Sequence, residues 1–286
     1  MDEELHDYPR QKIRQAKKAA GLPASDDVAQ LGNLLIDLRT AAEEKLGHPI
    51  TEAVASTPNL VALYDEDVRD AFEFVGLKFS KLPYWQHKVL STGAAYAGYG
   101  MGLCGDYTDQ AACWYEQKDM PQETIMAVTF TQHALHVTLS GIQSVLWIWE
   151  PQYRTHWDWE LGLGKLEEEG VDEDEYWAEV VEAMRFVMHD RPHYPKPQKI
   201  LLLGESAGDP KFRDALEKAI WGVMGKMPVV YGVDAEFVAA KGAAELAKRA
   251  PYDWRKDPFA EEPERPKQEQ DLSDSTEVDT EMEDEL

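Results

Sequence analysis

Residues 199–212 read KILLLGESAGDPKF, and this stretch decides the class of fold. Lys199 to Leu203 is a short apolar run that is typical of a buried strand. The small residues from Gly204 to Gly208 predict a tight turn. Asp209 and Pro210 then indicate a helix start, because Asp caps free amides and Pro suits the first helical position. The stretch therefore predicts a strand, a turn and a helix, which is the repeating unit of an α/β protein.

The segments on either side extend this unit into a mixed sheet. After the predicted helix at 210–223, a short strand is expected at 228–231 and a helix from Asp234 to about Lys248. Before residue 199, three consecutive strands are predicted, followed by a helix at 173–189. The strands of this antiparallel meander are expected at 124–130, 134–141 and 144–149.

The N-terminal half begins with a strong helix signal. Ser25 is the expected N-cap, apolar residues follow at three- and four-residue steps, and Gly47 is the expected stop. Further elements are predicted to be a strand at 51–57, a helix at 61–75, a short strand at 78–81 and a packed helix at 93–102. The predicted organisation is a polar N-terminal extension (1–27), a first unit (28–122), a second unit (123–250) containing an insertion (150–198), and a disordered acidic tail (251–286).

Charge narrows the classes of partner. The 286 residues include 29 Lys and Arg against 54 Asp and Glu, which gives a formal charge of −25. Residues 269–286 contain nine acids and no Lys or Arg, but removing them still leaves 45 acids against 29 bases. This balance argues against nucleic acid and anionic membranes as partners, because both require a basic face.

The cysteines and the N-terminus suggest a compartment. Cys104 and Cys113 are too few for a disulfide framework, and their separation of nine residues is not a zinc spacing. Met1 to Arg10 lacks an apolar signal region, and no apolar run is long enough to span a membrane. The sequence therefore predicts a cytoplasmic or nuclear protein.

Four segments resemble, in the right order, the nucleotide-binding domain of the seventy-kilodalton heat-shock chaperones, and the chain looks closest to fungal proteins of that actin-like ATPase superfamily. The resemblance covers about residues 28–249. It implies an α/β, actin-like ATPase (ribonuclease H-like) fold, with an incomplete first lobe in 28–122 and a second lobe in 123–250. The segments are LGHPITEAV at 46–54, AAYAGYG at 94–100, LLLGES followed by DPKF within 201–212, and VAAKGAA at 238–244.

The third of these segments implies a nucleotide site. By the resemblance, the residues that contact the adenosine of ATP or ADP, bound with Mg, are Gly204, Glu205, Ser206, Gly208 and Lys211. The alternative is that the glycines only permit a tight turn between strand and helix.

The sequence departs from the family's pattern in the two loops that bind the phosphates. The family's first phosphate loop, D-x-G-T, would precede this chain and is expected to be missing. Its second loop, D-L-G-G-G-T-F-D, corresponds to residues 129–136, where Thr129 replaces Asp and Thr131, Gln132 and His133 replace glycines. Side chains at those positions should block the close approach of backbone to phosphate.

Three functions stay open on this basis. The first is a degenerate member of the superfamily that binds nucleotide weakly or not at all and acts through protein interaction. The second is a chaperone-like ATPase whose N-terminal phosphate-binding part is missing from this chain. The third is a scaffold that binds no nucleotide and uses an aromatic cluster and the acidic tail.

Three further sets of residues are candidates for chemistry or binding. His133 and His136 have an H-x-x-H spacing, but a strand context should point their rings apart, so no metal site is expected. Asp106 and Asp109 could act as paired carboxylates, although loop acids are usually only solvated. The aromatic cluster is either core or a binding surface. Its members are Trp147, Trp149, Tyr153, Trp157 and Trp159.

Overall fold

The computed structural model describes residues 7–60, 62–80, 89–151, 154–189, 195–253 and 260–265. The helices are α1 (Tyr8–Ala19), α2 (Asp26–Leu46), α3 (Asp65–Phe74), α4 (Ser91–Gly98), α5 (Gln110–Asp119), α6 (Glu173–His189), α7 (Pro210–Met224) and α8 (Val238–Arg249). The strands are β1 (Glu52–Ala53), β2 (Ser56–Thr57), β3 (Lys78–Phe79), β4 (Val89–Leu90), β5 (Glu123–Phe130), β6 (Leu135–Ser144), β7 (Trp147–Trp149), β8 (Thr155–Asp158), β9 (Lys199–Leu203) and β10 (Val229–Tyr231).

The large sheet is mixed, as the sequence predicts. Its strand order is β10-β9-β5-β6-β7, and β8 also pairs with β6. The meander β5, β6 and β7 is antiparallel, whereas β9 runs parallel to both β5 and β10. Strand β8 lies within the predicted insertion (150–198), at a place where the sequence predicts no strand, and its residues Asp158 to Thr155 pair with Leu135 to Thr138.

Helices cover both faces of this sheet. Alternate residues of β5 point to opposite faces, so Met126, Val128 and Phe130 pack against α6 and α7. Ile125 and Ala127 face the other way and pack in a cluster with residues of α4 and α8. The strand predicted at 199–203 is buried, and its side chains contribute to the apolar clusters on both faces of the sheet.

Helices α4 and α8 approach each other backbone to backbone. A Cβ atom on Gly242 would lie 1.7 Å from the Ala94 carbonyl oxygen, and one on Gly98 would lie 2.0 Å from the Val238 carbonyl oxygen. The Tyr99 hydroxyl, just after α4, donates to the Leu202 carbonyl at 2.9 Å. These contacts join the N-terminal half to the large sheet.

The N-terminal half has the predicted helices but little sheet. Ser25 caps α2 by accepting from the Val28 amide at 3.1 Å, and Gly47 ends the helix in the left-handed region. The strand predicted at 51–57 consists of two dipeptides, since β1 pairs only with β3 and β2 only with β4, both parallel. The helix predicted from 61 begins four residues later, at Asp65.

The predicted N-terminal extension contains α1, which ion pairs hold against α3. Arg14 is 3% exposed and contacts Asp67 at 2.7 Å and Asp70 at 2.5 Å. Arg10 pairs with Glu66, and Lys18 pairs with Asp70 at 2.8 Å. These partners raise the pKa of Arg14 and Lys18 and outweigh the opposing effect of burial, which by itself would lower both.

Part of the predicted acidic tail also contacts the folded chain. The Trp114 indole donates to the Glu262 carboxylate at 2.8 Å, the Tyr115 hydroxyl donates to the Pro263 carbonyl at 3.1 Å, and Arg265 pairs with Asp119 at 3.1 Å. These bonds place residues 260–265, which the sequence assigns to the disordered tail, beside α5. Residues 266–286 lie outside the described residues.

The two cysteines form a disulfide, with their Cα atoms 5.0 Å apart. The sequence predicts only that two cysteines are too few for a disulfide framework, and the turn before α5 brings these two positions together. Disulfides are typical of oxidising compartments, so the cysteines give no support for the predicted cytoplasmic or nuclear location. Within the part of the chain that the structure describes, no helix has both the length and the apolar character that a membrane span requires.

Candidate functional site

The predicted turn after β9 lies beside the end of β5. Gly204 has a φ of +93°, and a Cβ atom there would lie 2.3 Å from the Phe130 carbonyl oxygen. The Ser206 amide donates to the same carbonyl at 3.2 Å, and the Gly204 amide donates to Ala235 at 3.1 Å. Both the backbone conformation and the close approach therefore require glycine at 204.

The turn after β5 contains residues 131–134, the segment for which the sequence predicts a resemblance to a phosphate loop. The Thr131 hydroxyl oxygen accepts from the His133 amide at 3.2 Å and from the Ala134 amide at 3.0 Å. The Thr131 amide donates to the Ala134 carbonyl at 3.1 Å. A side chain of the turn therefore satisfies two backbone donors of the same turn.

The third backbone donor of this turn, the Gln132 amide, is hydrogen-bonded to the turn after β9. The Gln132 amide donates to the Glu205 carboxylate at 2.8 Å, and the Gln132 side chain donates to the Ser206 hydroxyl at 3.3 Å. Three successive amides, at residues 132, 133 and 134, are thus satisfied by oxygens of the chain itself. The carboxylate of Glu205 takes the position relative to an amide that an anionic ligand could otherwise take.

A third segment packs on the same turn. The Leu163 amide donates to the Thr131 carbonyl at 2.9 Å, and the Gly164 amide donates to the Gln132 carbonyl at 2.9 Å. Beside these residues lies an exposed groove of about 520 Å³ that Gln132, Trp159 and Lys165 help to line. In the sequence, the only signal of this segment is the glycine pair Gly162 and Gly164, which by itself is weak.

The five predicted site residues separate into two groups. Gly204, Glu205 and Ser206 lie together against Gln132, with Ser206 4% exposed. Gly208 is exposed, and a Cβ atom there would have no neighbour within 4 Å. Lys211 pairs with Glu173 of α6, which raises the pKa of Lys211, and it lines an open groove between α6 and α7.

A buried carboxylate links α4 to the sheet. Glu150 is 8% exposed, and the Ser140 hydroxyl donates to it at 3.3 Å. Burial raises the pKa of Glu150, and hydrogen bonds from Thr92, Ser140 and Thr138 partly oppose this shift. Sequence reasoning missed Glu150, because it directly follows a predicted strand and gives no local sign that it is buried.

The two histidines of H-x-x-H occupy different environments. His133 is exposed in the turn, whereas His136 is buried in β6 and stacks on Trp157 at 4.3 Å. Burial, and secondarily His156, lowers the pKa of His136 to about 4. Among the described residues, no group of three His, Cys, Asp or Glu side chains is arranged to hold a metal ion.

The predicted aromatic cluster is divided between two places. Trp147 packs edge-on against Trp114 at 4.9 Å, while Trp157 and Trp159 stack on each other at 4.9 Å. Trp149 and Trp159 are more than half exposed, and Tyr153 lies outside the described residues.

The paired acids of the 104–113 loop have local structural roles. Asp109 caps α5 by accepting from the Ala112 amide at 2.9 Å. Asp106 accepts from the Thr108 amide and hydroxyl, and these bonds lower the pKa of Asp106. Their oxygens are thus used to shape the loop.

Comparison with known proteins gives no family assignment. The sequence matches no protein-family model and, at a significant level, no curated protein.

Proposed function

We propose that this chain is a degenerate member of the actin-like ATPase superfamily that acts through protein interaction and does not hydrolyse a nucleotide. The observation that carries the proposal is the bond from the Gln132 amide to the Glu205 carboxylate at 2.8 Å. It lies in the turn where the family resemblance calls for backbone amides to hold phosphate. An amide that already donates to a carboxylate is not free to bind another anion.

The chemistry of hydrolysis supports this proposal. Phosphoryl transfer needs positioned phosphates, neutralisation of their charge and an oriented water. The His133 and Ala134 amides donate to the Thr131 hydroxyl, and a carboxylate at Glu205 would repel a phosphate. Lys211, the predicted cation of the site, pairs with Glu173 instead.

Two features of the architecture support the proposed superfamily. Gly98 closes AAYAG and Gly242 lies in VAAKGAA, so the closest helix contact joins two of the segments that carry the resemblance. In addition, an antiparallel meander followed by two parallel strands, each after a helix, is the order that a ribonuclease H-like lobe implies. Likeness of fold alone gives no activity, so the site must be tested directly.

The direct test is a titration of the purified chain with Mg·ATP and Mg·ADP, by calorimetry and by thermal unfolding. A ligand present at 100 times its dissociation constant stabilises a protein by about 2.7 kcal/mol. We expect no saturable heat and no shift of the unfolding midpoint at millimolar nucleotide.

The matched variant is Gly208→Leu, because a side chain at 208 projects into open space and leaves the fold intact. Gly204 is unsuitable, since any side chain there meets the Phe130 carbonyl. Nucleotide turnover by the unmodified chain would overturn the proposal, as would tight, saturable nucleotide binding that Gly208→Leu abolishes.

A further inference from the structure

The disulfide between Cys104 and Cys113 ties the start of α5 to the end of α8. Cys104 is 2% exposed, and its carbonyl accepts from the Arg249 guanidinium of α8 at 3.2 Å. Arg249 also lies over the ring of Tyr107, in the same loop, at 4.7 Å. Cys113 lies in α5 and is partly exposed. One cysteine is therefore fixed against α8, and the other carries α5.

Helix α5 is otherwise held by few contacts. Gln117 is the one buried residue among its ten, all of which the structure describes. None of these ten residues belongs to the apolar clusters on the two faces of the large sheet. The Gln143 side chain of β6 holds the C-terminal end by donating to the Lys118 carbonyl at 2.6 Å, and Trp114 packs against Trp147 at the N-terminal end. A helix with so little buried surface has a low local stability, so its N-terminal turn depends on the disulfide.

The hydrogen bonds that accompany the disulfide are too exposed to replace it. The Gly105 amide donates to the Glu116 carboxylate at 3.0 Å, and the Ala112 amide donates to the Asp109 carboxylate at 2.9 Å. Exposed bonds of this kind compete with water and contribute little to stability. The loop that the disulfide closes is short, so its opening changes the entropy of the unfolded chain less than that of a long loop would. We therefore expect reduction to loosen the start of α5 and to leave the large sheet folded.

The start of α5 also holds residues 260–265, which we call the tail segment. The Trp114 indole and the Lys118 ammonium both contact the Glu262 carboxylate, at 2.8 Å and 3.1 Å. The Arg265 guanidinium lies over the ring of Tyr115 at 4.7 Å. Both aromatic residues directly follow the second cysteine, so the disulfide positions the side chains that bind the tail segment.

Ion pairs alone do not hold the tail segment. The pair of Lys118 with Glu262 joins side chains that are 47% and 45% exposed. The pair of Arg265 with Asp119 joins side chains that are 58% and 61% exposed. Pairs between such exposed charges contribute little. Binding of the tail segment therefore requires that the two aromatic residues stay in place.

A dithiol can open this disulfide by exchange. Its thiolate attacks the sulfur of Cys113, the more exposed cysteine, and the sulfur of Cys104 leaves as a thiolate and takes up a proton. The second thiol of the reductant then displaces Cys113 from the mixed disulfide, and Cys113 takes up a proton in turn. Two electrons pass to the chain, which gains two thiols, and the dithiol is oxidised to a disulfide.

We propose that the Cys104–Cys113 pair is a thiol–disulfide switch that controls the binding of the tail segment to α5. In the oxidised chain the tail segment covers Trp114 and Tyr115. In the reduced chain the first turn of α5 opens, the tail segment leaves, and both rings become accessible. This inference goes beyond the proposed function and does not depend on the nucleotide site.

The test treats the full, isotope-labelled chain with dithiothreitol and follows the indole N–H signal of Trp114 by nuclear magnetic resonance. The variant Trp114→Phe assigns this signal, and oxidised Glu262→Ala gives its position when the tail segment is not bound. We expect reduction to move the signal of the unmodified chain to that position and reoxidation to return it. Reduction of Glu262→Ala should move the signal much less, because no bond to the tail segment remains to be lost.

Two further measurements locate the change. Hydrogen exchange of the amides at 113–117 should become at least tenfold faster after reduction, whereas that of the α7 amides should not change. A chain carrying both Cys104→Ala and Cys113→Ala should show the unbound Trp114 signal without reductant and should not respond to dithiothreitol. If this double variant does not fold, reduction of the unmodified chain still decides the question.

Three outcomes would overturn the proposal. The first is an unchanged Trp114 signal in a chain that mass spectrometry shows to carry both thiols. The second is an equal shift on reduction in the unmodified chain and in Glu262→Ala, which would make the shift a local effect of the sulfur chemistry. The third is loss of cooperative unfolding on reduction, which would make the disulfide a staple of the whole fold.

Discussion

The backbone amide of Gln132 donates to the carboxylate of Glu205 at 2.8 Å, although 73 residues separate them. The bond joins the turns that follow β5 and β9, which are neighbouring parallel strands. In this way the chain supplies its own anion at the edge of the sheet where the sequence suggested a nucleotide.

Replacing Glu205 by Ala should destabilise the chain modestly. The lost bond is charge-assisted but lies at an exposed residue, so we expect about 1 kcal/mol. For a chain of this size this corresponds to a fall of about 2–4 °C in the thermal midpoint. Glu205→Gln keeps an acceptor oxygen and is the control, and equal losses in both variants would show that the Gln132 amide is not the partner that matters.

Replacing Gly242 by Ala should destabilise the chain strongly. Ala gains about 1 kcal/mol over Gly in helix propensity. However, its Cβ would lie 1.7 Å from the Ala94 carbonyl oxygen, so α4 and α8 must separate, and we expect a net loss of about 3 kcal/mol or more. Denaturant unfolding measures this, with Gly208→Ala as a control that should change stability by less than about 0.5 kcal/mol.

Replacing Arg14 by Met should release α1 from α3. The change leaves Asp67 and Asp70 without their buried cation, and breaking a buried ion pair costs about 3–5 kcal/mol. Hydrogen exchange of the α1 amides should therefore accelerate. Lys12→Met removes the same charge from the exposed side of α1, and if it accelerates exchange as much as Arg14→Met, net charge rather than the ion pairs holds the helix.

His136 should make stability depend on pH in a defined range. Its folded pKa is lowered to about 4 from 6.5, so the unfolded chain takes up a proton first as the pH falls. The neutral ring therefore makes its full contribution to the free energy of unfolding above pH 6.5. This contribution, about 3 kcal/mol in total, is lost as the pH falls from 6.5 to 4. His136→Phe keeps the stacking on Trp157 but cannot titrate.

The measurement for this prediction is the free energy of unfolding at pH 7 and at pH 4.5, for both chains. The unmodified chain should lose more stability over this range than His136→Phe does. Parallel losses in the two chains would contradict the assignment of the pH dependence to His136.

The large sheet and several helices, including α2, were predictable because their signals are local. Ser25, Gly47 and Asp209 mark helix ends by their own chemistry, and the apolar runs of β5 and β9 are long enough to be distinguished. Strand β8 was missed because its four residues alternate only briefly within an aromatic stretch.

The features that the sequence did not predict depend on contacts between residues that are distant in sequence. The local composition of 260–265, rich in Pro and Glu, predicts disorder. The residues that contact this segment, Trp114 and Tyr115 on α5, are far away in the sequence, so local composition carries no sign of them. Likewise, the sequence predicts a turn at Gly204 but gives no sign that Glu205 meets Gln132. Local propensity fixes the elements, whereas their tertiary arrangement decides which polar groups pair.

The contact of α4 with α8 also limits how this sequence can vary. Gly98 and Gly242 each lie where the opposing backbone leaves no room for a methyl group, so neither position can gain a side chain independently. Any related sequence with a larger residue at one of them must hold the two helices further apart. A small residue at both positions, about 144 apart, is therefore a criterion for recognising chains that share this architecture.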